Sequence, residues 1–418
     1  MPFYHRLGEI PHKRHTQFRQ PDGSLYAEQV MGTRGFEGIQ SIVYHRRPPT
    51  AILKVEDRGP VRIELEEPGA LRHRHFRTAR LRPGGDPIGG RQPLLHNADV
   101  TMSLALPTEP MDYHYRNGQG DELIFVDQGE GRVESLFGTL PFRRGDYLVI
   151  PISTTYRIVL DPPTTPNPPQ NTQRSQRIDT ERSTSVSSVV KTTSGNRARL
   201  LVFECRGGIE TPRRYRNEHG QLLEHSPYCE RDIRAPQELA SHDQAGEFPV
   251  LVRARDRLTL HMLDHHPLDA VGWDGYLYPW AFNIEDFEPI TGRVHQPPPV
   301  HQTFKGPNFV ICSFVPRKYD YHPLAIPAPY SHSNVDSDEV LYYVEGNFMS
   351  RRGIEEGSIS LHPSGLPHGP HPGAAEASIG KERTEELAVM MDTFHPLRVA
   401  RAAAAIEDER YPYSWVAH

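Results

Sequence analysis

The chain reads as an all-β protein built from a duplicated barrel unit, with only a few short helices. Three observations predict this. Pro and Gly are frequent, 40 and 33 of 418 residues, and such punctuation cuts a chain into short strands and turns. Many segments alternate apolar and polar residues with a period of two, as half-buried strands do. One strand–turn–strand pattern occurs twice, near residues 114 and 332, which marks an internal repeat.

Composition removes several function classes. A net charge of -6 gives no basic footprint for nucleic acid or an anionic membrane surface. No run approaches the ~20 apolar residues of a spanning helix. The opening MPFYHRLGEIPHKRH lacks the apolar core of a secretory signal. Cys205, Cys229 and Cys312 are far apart and form no CxxC pair. They read as free thiols of a reducing, cytoplasmic setting rather than a disulfide scaffold. The 23 His hint at metal or proton chemistry.

The elements follow in order. A polar, His- and Arg-rich opening ends in SIVYHR. VRIELEE and LRHRHFRTARL, from Val61 and Leu71, read as strands. GGDPIGGR, from Gly84, lacks the Lys-Ser/Thr of a phosphate loop and reads as a turn. DELIFVDQGEGRVESLFGTLPFRRGDYLVIP, from Asp121, reads as strands joined by Gly turns, in the manner of an antiparallel sandwich or barrel. Residues 161–196 are Pro, Ser, Thr, Gln and Asn with almost no large apolar side chain. Such a stretch cannot bury enough surface to offset its ordering entropy, and it reads as a flexible insertion. RARLLVFECRGG then resumes as strand. VGWDGYLYPWAFNIEDFEPI, from Val271, carries Trp273 and Trp280 among four other aromatics and reads as core or interface packing. Past residue 290 come FVICSFVPRKY and DEVLYYVEGNFMS as strands, and HPLRVARAAAAIEDER as a short helix. The expected division is a larger unit over 1–290 and a smaller one over 291–418.

The repeat carries the candidate chemistry. HYRNGQGDELIFVDQGEG begins at His114, and HSNVDSDEVLYYVEGNF begins at His332. In each, an Asp-Glu pair follows the His and opens an apolar strand. Glu122 and Glu339 both precede a Gly, Gly129 and Gly346, by seven residues. Further on, Gly145, Pro151 and Tyr156 match the spacing of Gly357, Pro363 and His368. This alignment pairs His114 with His332. Because Tyr156 replaces the second His, only the later copy keeps a full set: His332, Glu339 and His368.

Two imidazoles and one carboxylate on one face of an ion leave its far face open, the arrangement of non-haem Fe(II) oxygenases. A closed structural zinc site would draw on Cys, and none lies at matching spacing. Mn(II), Zn(II) and Ni(II) suit the same donors. Asp338 rivals Glu339, but neighbours in a strand face opposite sides, and the shared Glu-to-Gly spacing favours Glu339.

The two motifs, HxN(x)4E(x)6G and G(x)5PxGxxH, resemble those of the cupin superfamily. KRHTQFRQPDGSLYAEQVMGTRGFEG, YHRRPPT, VGWDGYLYPWAFNIEDFEPI, VHQPPPVHQTF and GSISLHPSGLPHGPHPG narrow the match. They resemble the homogentisate 1,2-dioxygenases, particularly shorter bacterial members, nearly end to end. The resemblance implies a jelly-roll-like bicupin: a β-sandwich N-terminal domain with a degenerate cupin unit, and a C-terminal cupin barrel carrying iron. It implies Fe(II) as cofactor, O2 and a small aromatic as substrates, cleavage of homogentisate to maleylacetoacetate in tyrosine and phenylalanine catabolism, and a trimeric or hexameric homo-oligomer. His332, Glu339 and His368 fall on the family's iron ligands. His362 falls on its substrate-contacting His beside His368. His295 falls on its acid/base, the alternative being a His packed in a Pro-rich loop. His301 matches only a neighbouring position and receives no role. Phe348 stands where animal members place a substrate-contacting Tyr, and the His332–Glu339 gap is one residue longer than theirs. Gentisate or a substituted hydroquinone is the rival substrate, and a non-oxidative metal-binding cupin the rival class.

Overall fold

The computed structural model describes residues 3–162, 198–346, 348 and 353–416. The expected insertion, from residue 163 on, lies outside the described residues. The architecture is all-β, with two short α-helices among the described residues, Ala374–Ser378 and Arg401–Ala404.

Two matching sets of strands form the two repeats. In the first, Asp121–Gln128 lies between Asp146–Ile150 and Arg199–Cys205, and Val100–Ala105 follows, all in one eight-stranded sheet. In the second, Asp338–Glu345 lies between Ile359–His362 and Leu387–Thr393, and Phe309–Phe314 follows, in a six-stranded sheet. Every one of these pairings is antiparallel. The same order and sense in both halves is the bicupin duplication expected from the sequence.

Alternation along the central strands separates core from cavity, because successive side chains of a strand point to opposite faces. Leu123 and Phe125 enter the large core shared by both halves, while Ile124 and Val126 fill the interior of the first barrel. Val340, Tyr342 and Val344 enter the shared core. Glu339, Leu341 and Tyr343 face a cavity in the second barrel. The halves are keyed together there: Tyr342 donates to Asp127 at 2.6 Å, and Tyr147 Oη lies 2.9 Å from Ser313 Oγ. Trp273 and Trp280 are buried in this core, as expected.

The glycines that close the repeated strands are conformational requirements. Gly129 and Gly346 sit at φ 97° and 104°, where a side chain is strained. A Cβ on Gly346 would also come within 2.4 Å of the Glu385 carbonyl oxygen.

Two strand exchanges cross the expected division at residue 290. Arg74–Phe76 joins the second repeat's sheet beside Ile359–His362. Arg398–Val399 joins the first repeat's sheet beside Arg91–His96. VRIELEE departs from expectation. It alternates correctly, yet it is no regular strand: Leu65 makes an isolated bridge to Ala400, and Glu66 donates its amide to the Val399 carbonyl at 2.9 Å. GGDPIGGR is a turn, held by Asp86, which accepts from the Ile88 and Gly89 amides.

Candidate metal centre

Three short pieces of chain bring His332, Glu339 and His368 together. Glu339 is the second residue of its strand and points inward. His332 and His368 face each other across an antiparallel bridge, each amide donating to the other's carbonyl at 2.8 Å. One donor atom from each of the three residues lies within 4.8 Å of the others. His332 Nε2 is 3.2 Å from Glu339 Oε2, and His368 Nε2 is 3.1 Å from Glu339 Oε1. Donors each ~2.1 Å from one ion and at right angles would be ~3 Å apart, so this set fits a single metal ion.

The acid is prepared for that role. Burial alone would raise the Glu339 carboxyl. Hydrogen bonds from His332, His362 and His368 outweigh burial and hold it well below the usual carboxylate range. Asp338 points the other way and serves the fold: it accepts from the Ser364 and Leu397 amides at 2.8 and 2.7 Å. Asp121 does the same in the first repeat, accepting from Ile152 and Ile209, both at 2.9 Å. The recurrent Asp-Glu pair therefore divides into one loop clamp and one inward carboxylate.

A cavity of about 810 Å³ lies over this floor. His332, Asn334, Glu339 and Asp392 border it, and Phe314, Leu341, Tyr343, Phe348 and Met390 supply apolar wall. Phe348 is buried, its ring edge-on to Tyr343 at 4.7 Å. His295 stands at the rim with its side chain 57% exposed, its Nδ1 3.2 Å from Asp320 and its ring against Tyr330 at 5.2 Å. Tyr330 in turn approaches the His332 ring at 6.1 Å. His362 is fully buried behind the ligands, stacked on His368 at 4.3 Å, and does not border the cavity. Its ring bridges Glu339 Oε1 at 2.8 Å and the Tyr411 hydroxyl at 3.0 Å. His301 also borders the cavity, and burial pushes its imidazole down to about 3.

Strand register corrects the alignment of the repeats. Tyr156 pairs with Tyr115, as His368 pairs with His332. Tyr115 also precedes Glu122 by seven residues, as His332 precedes Glu339. The counterpart of His332 is therefore Tyr115, one residue past His114. His114 points away and packs on His266 at 5.1 Å. In the first repeat two phenols replace the two imidazoles, and a guanidinium takes the cation's place. Arg91 ion-pairs with Glu122 and, at 3.2 Å, with Glu204, and Tyr156 donates to Glu122 at 2.5 Å. Glu122 is fully buried, and its charge is already answered by Arg91 and Tyr156.

Sequence reasoning passed over Asp392, Tyr411 and Tyr115. Tyr115 was findable by equalising the two His/Tyr-to-Glu gaps. Tyr411 and Asp392 lie 49 and 53 residues beyond His362 and Glu339, and no local spacing signals them.

No family model matches the chain. It is 40% identical over 418 residues, 99% of both chains, to the "Putative dioxygenase SSO1533" of Saccharolobus solfataricus. The chain belongs to that family, a family of cupin-type dioxygenases. More distantly, it is 25% identical to a homogentisate 1,2-dioxygenase of Rhodopseudomonas palustris strain BisB18, over 95% of this chain and 87% of that one. A 26% match to the homogentisate 1,2-dioxygenase of Bradyrhizobium diazoefficiens covers 73% of this chain and 63% of that one. Among solved structures, a cupin 2 conserved barrel domain protein from Leptotrichia buccalis aligns with a TM-score of 0.31 at 11% identity, over 80% of this chain and 99% of that one.

Proposed function

We propose that the protein is an Fe(II)-dependent ring-cleaving dioxygenase that adds both atoms of O2 to homogentisate, giving maleylacetoacetate, in cytoplasmic tyrosine and phenylalanine catabolism. The observation that carries the reading is the converging His332, Glu339 and His368 beneath a largely apolar cavity. The substrate assignment draws on the distant homogentisate 1,2-dioxygenase relatives. Homo-oligomeric assembly follows from the same resemblance.

Bound Fe(II) supplies the meeting point for the aromatic and O2 and the path for electrons between them. The chain's own groups do the rest. His332, Glu339 and His368 would hold the ion, two neutral imidazoles and one carboxylate that leave other positions for ligands from the cavity. His362, anchored by Tyr411, fixes the orientation of Glu339. The walls around Phe314, Leu341 and Phe348 seat the ring and exclude water. His295, paired with Asp320 at the rim, can take or return the proton of the hydroxyl para to the one nearest the metal.

A second reading, the same chemistry on gentisate or a substituted hydroquinone, is favoured by one observation: Phe348 offers no hydroxyl to a substrate side chain. Oxygen uptake by anaerobically iron-loaded enzyme separates the two. Rapid uptake with homogentisate supports the assignment, and uptake with gentisate alone replaces it. With neither substrate consumed at full iron loading, a non-oxidative cupin becomes the better account.

A further inference from the structure

We propose that Asp392 is a second charged partner of the metal centre, beside Glu339: a positioning residue that balances the ion's second positive charge and sets how tightly it is held. The proposal rests on the metal reading above and adds to it a residue outside the two repeated motifs.

The duplicated register sets two acids side by side in each barrel. In the second repeat, Glu339 lies opposite His362 on one side and Asp392 on the other. In the first, Glu122 lies opposite Ile150 on one side and Glu204 on the other. Both repeats therefore place a second carboxylate beside the inward Glu, in the same row of the sheet. Glu122, Glu204 and Glu339 are buried, and Asp392 is half-buried on the cavity wall. Two carboxylates side by side in a largely buried site cannot both stay charged without a cation between them, because an uncompensated buried charge is costly.

The first repeat shows how the need is met there. Arg91 Nη1 reaches both Glu122 and Glu204, and Arg253 approaches Glu204 at 2.5 Å. In the second repeat, no Lys or Arg among the described residues ion-pairs with Asp392. A neutral amide stands between the acids: Asn334 Nδ2 lies 3.4 Å from Glu339 Oε2 and 3.3 Å from Asp392 Oδ1. The positive charge that Arg91 supplies in one barrel would be supplied by a metal ion in the other. A divalent ion, two neutral imidazoles and two carboxylates sum to zero charge. Without Asp392 the same centre carries a net positive charge in a buried site.

The test is titration of the chelator-stripped full chain with Zn(II), and anaerobically with Fe(II), at pH 7. Asp392→Asn keeps the shape and removes the charge. Its metal affinity should fall about 10- to 100-fold, the range of supporting contacts around metal ligands, with no loss of metal-free thermal stability. Asp392→Glu, which restores the residue type of Glu204, should bind within a few-fold of wild type. Unchanged affinity in Asp392→Asn overturns the proposal. So does an equal loss in both variants, which would make the effect one of shape. His368→Ala is the control: if it keeps wild-type affinity, the metal reading itself fails, independently of Asp392.

Discussion

His362 is engaged at both ring nitrogens, by Glu339 on one side and by Tyr411 on the other. A ring so held transmits its orientation to the acid it touches. Replacing it by Phe should therefore lower metal affinity about 10- to 100-fold while His332, Glu339 and His368 remain in place. Tyr411→Phe, one bond further out, should cost about 1 kcal/mol of binding, the usual worth of one hydrogen bond. Isothermal titration of metal-free variants measures both. At this scale the sequence was partly readable. The motif spacing singled out His332, Glu339 and His368, because the repeated strands and turns force those intervals, and the family resemblance added His362. Asp392 and Tyr411 were illegible, because sheet register and a chain-terminal turn, rather than local spacing, bring them in. His295 was readable as a residue of interest, and the structure places it at the cavity rim rather than on the floor.

Two central strands, Asp121–Gln128 and Asp338–Glu345, share one plan with two endings. Each has a clamp Asp, an inward Glu and a second acid in the row beside it. One row is answered by Arg91, and the other is the one proposed to take a metal. Arg91→Met should destabilise the protein by about 3–5 kcal/mol, because it strands buried Glu122. The denaturation midpoint should fall, and metal content should not change. A gain of metal by that variant would show that the first barrel is silenced by the guanidinium alone, rather than by Tyr115 and Tyr156 as well. Element identity was largely legible from period-two alternation. VRIELEE shows the limit: alternation marks a segment that can pair, whereas pairing needs a neighbour, and Ile52–Pro60 takes the edge instead.

The whole molecule binds its halves through a shared core and two exchanged strands, so loss of one half should be felt by the other. It also buries imidazoles that must stay neutral. Burial pushes His75 and His266 down to about 4, and His114 and His301 down to about 3. Unfolded, each would titrate near 6.5. Between pH 6.5 and 4 the unfolded chain therefore binds more protons than the folded one, and stability falls as the pH falls through that window. Above pH 6.5 these four groups contribute no pH dependence. Urea midpoints of the metal-free protein at pH 7, 6, 5 and 4 should decline in step. A flat profile would mean that these rings are solvated in solution. The fold class was legible at this scale because Pro, Gly and the repeat constrain it, whereas the exchange of strands across residue 290 was not, since both exchanged pieces are only two or three residues long.

The account turns on one ion held by three side chains in the second barrel. Metal analysis of the full chain, purified anaerobically with Fe(II), tests it directly alongside His332→Ala, Glu339→Ala, His368→Ala and the paired Tyr115→Ala and Tyr156→Ala. One iron per chain is expected in wild type, with near-complete loss in each of the first three and full occupancy in the two tyrosine variants. Iron retained after loss of His332, Glu339 or His368, or lost with Tyr115 and Tyr156, would contradict it.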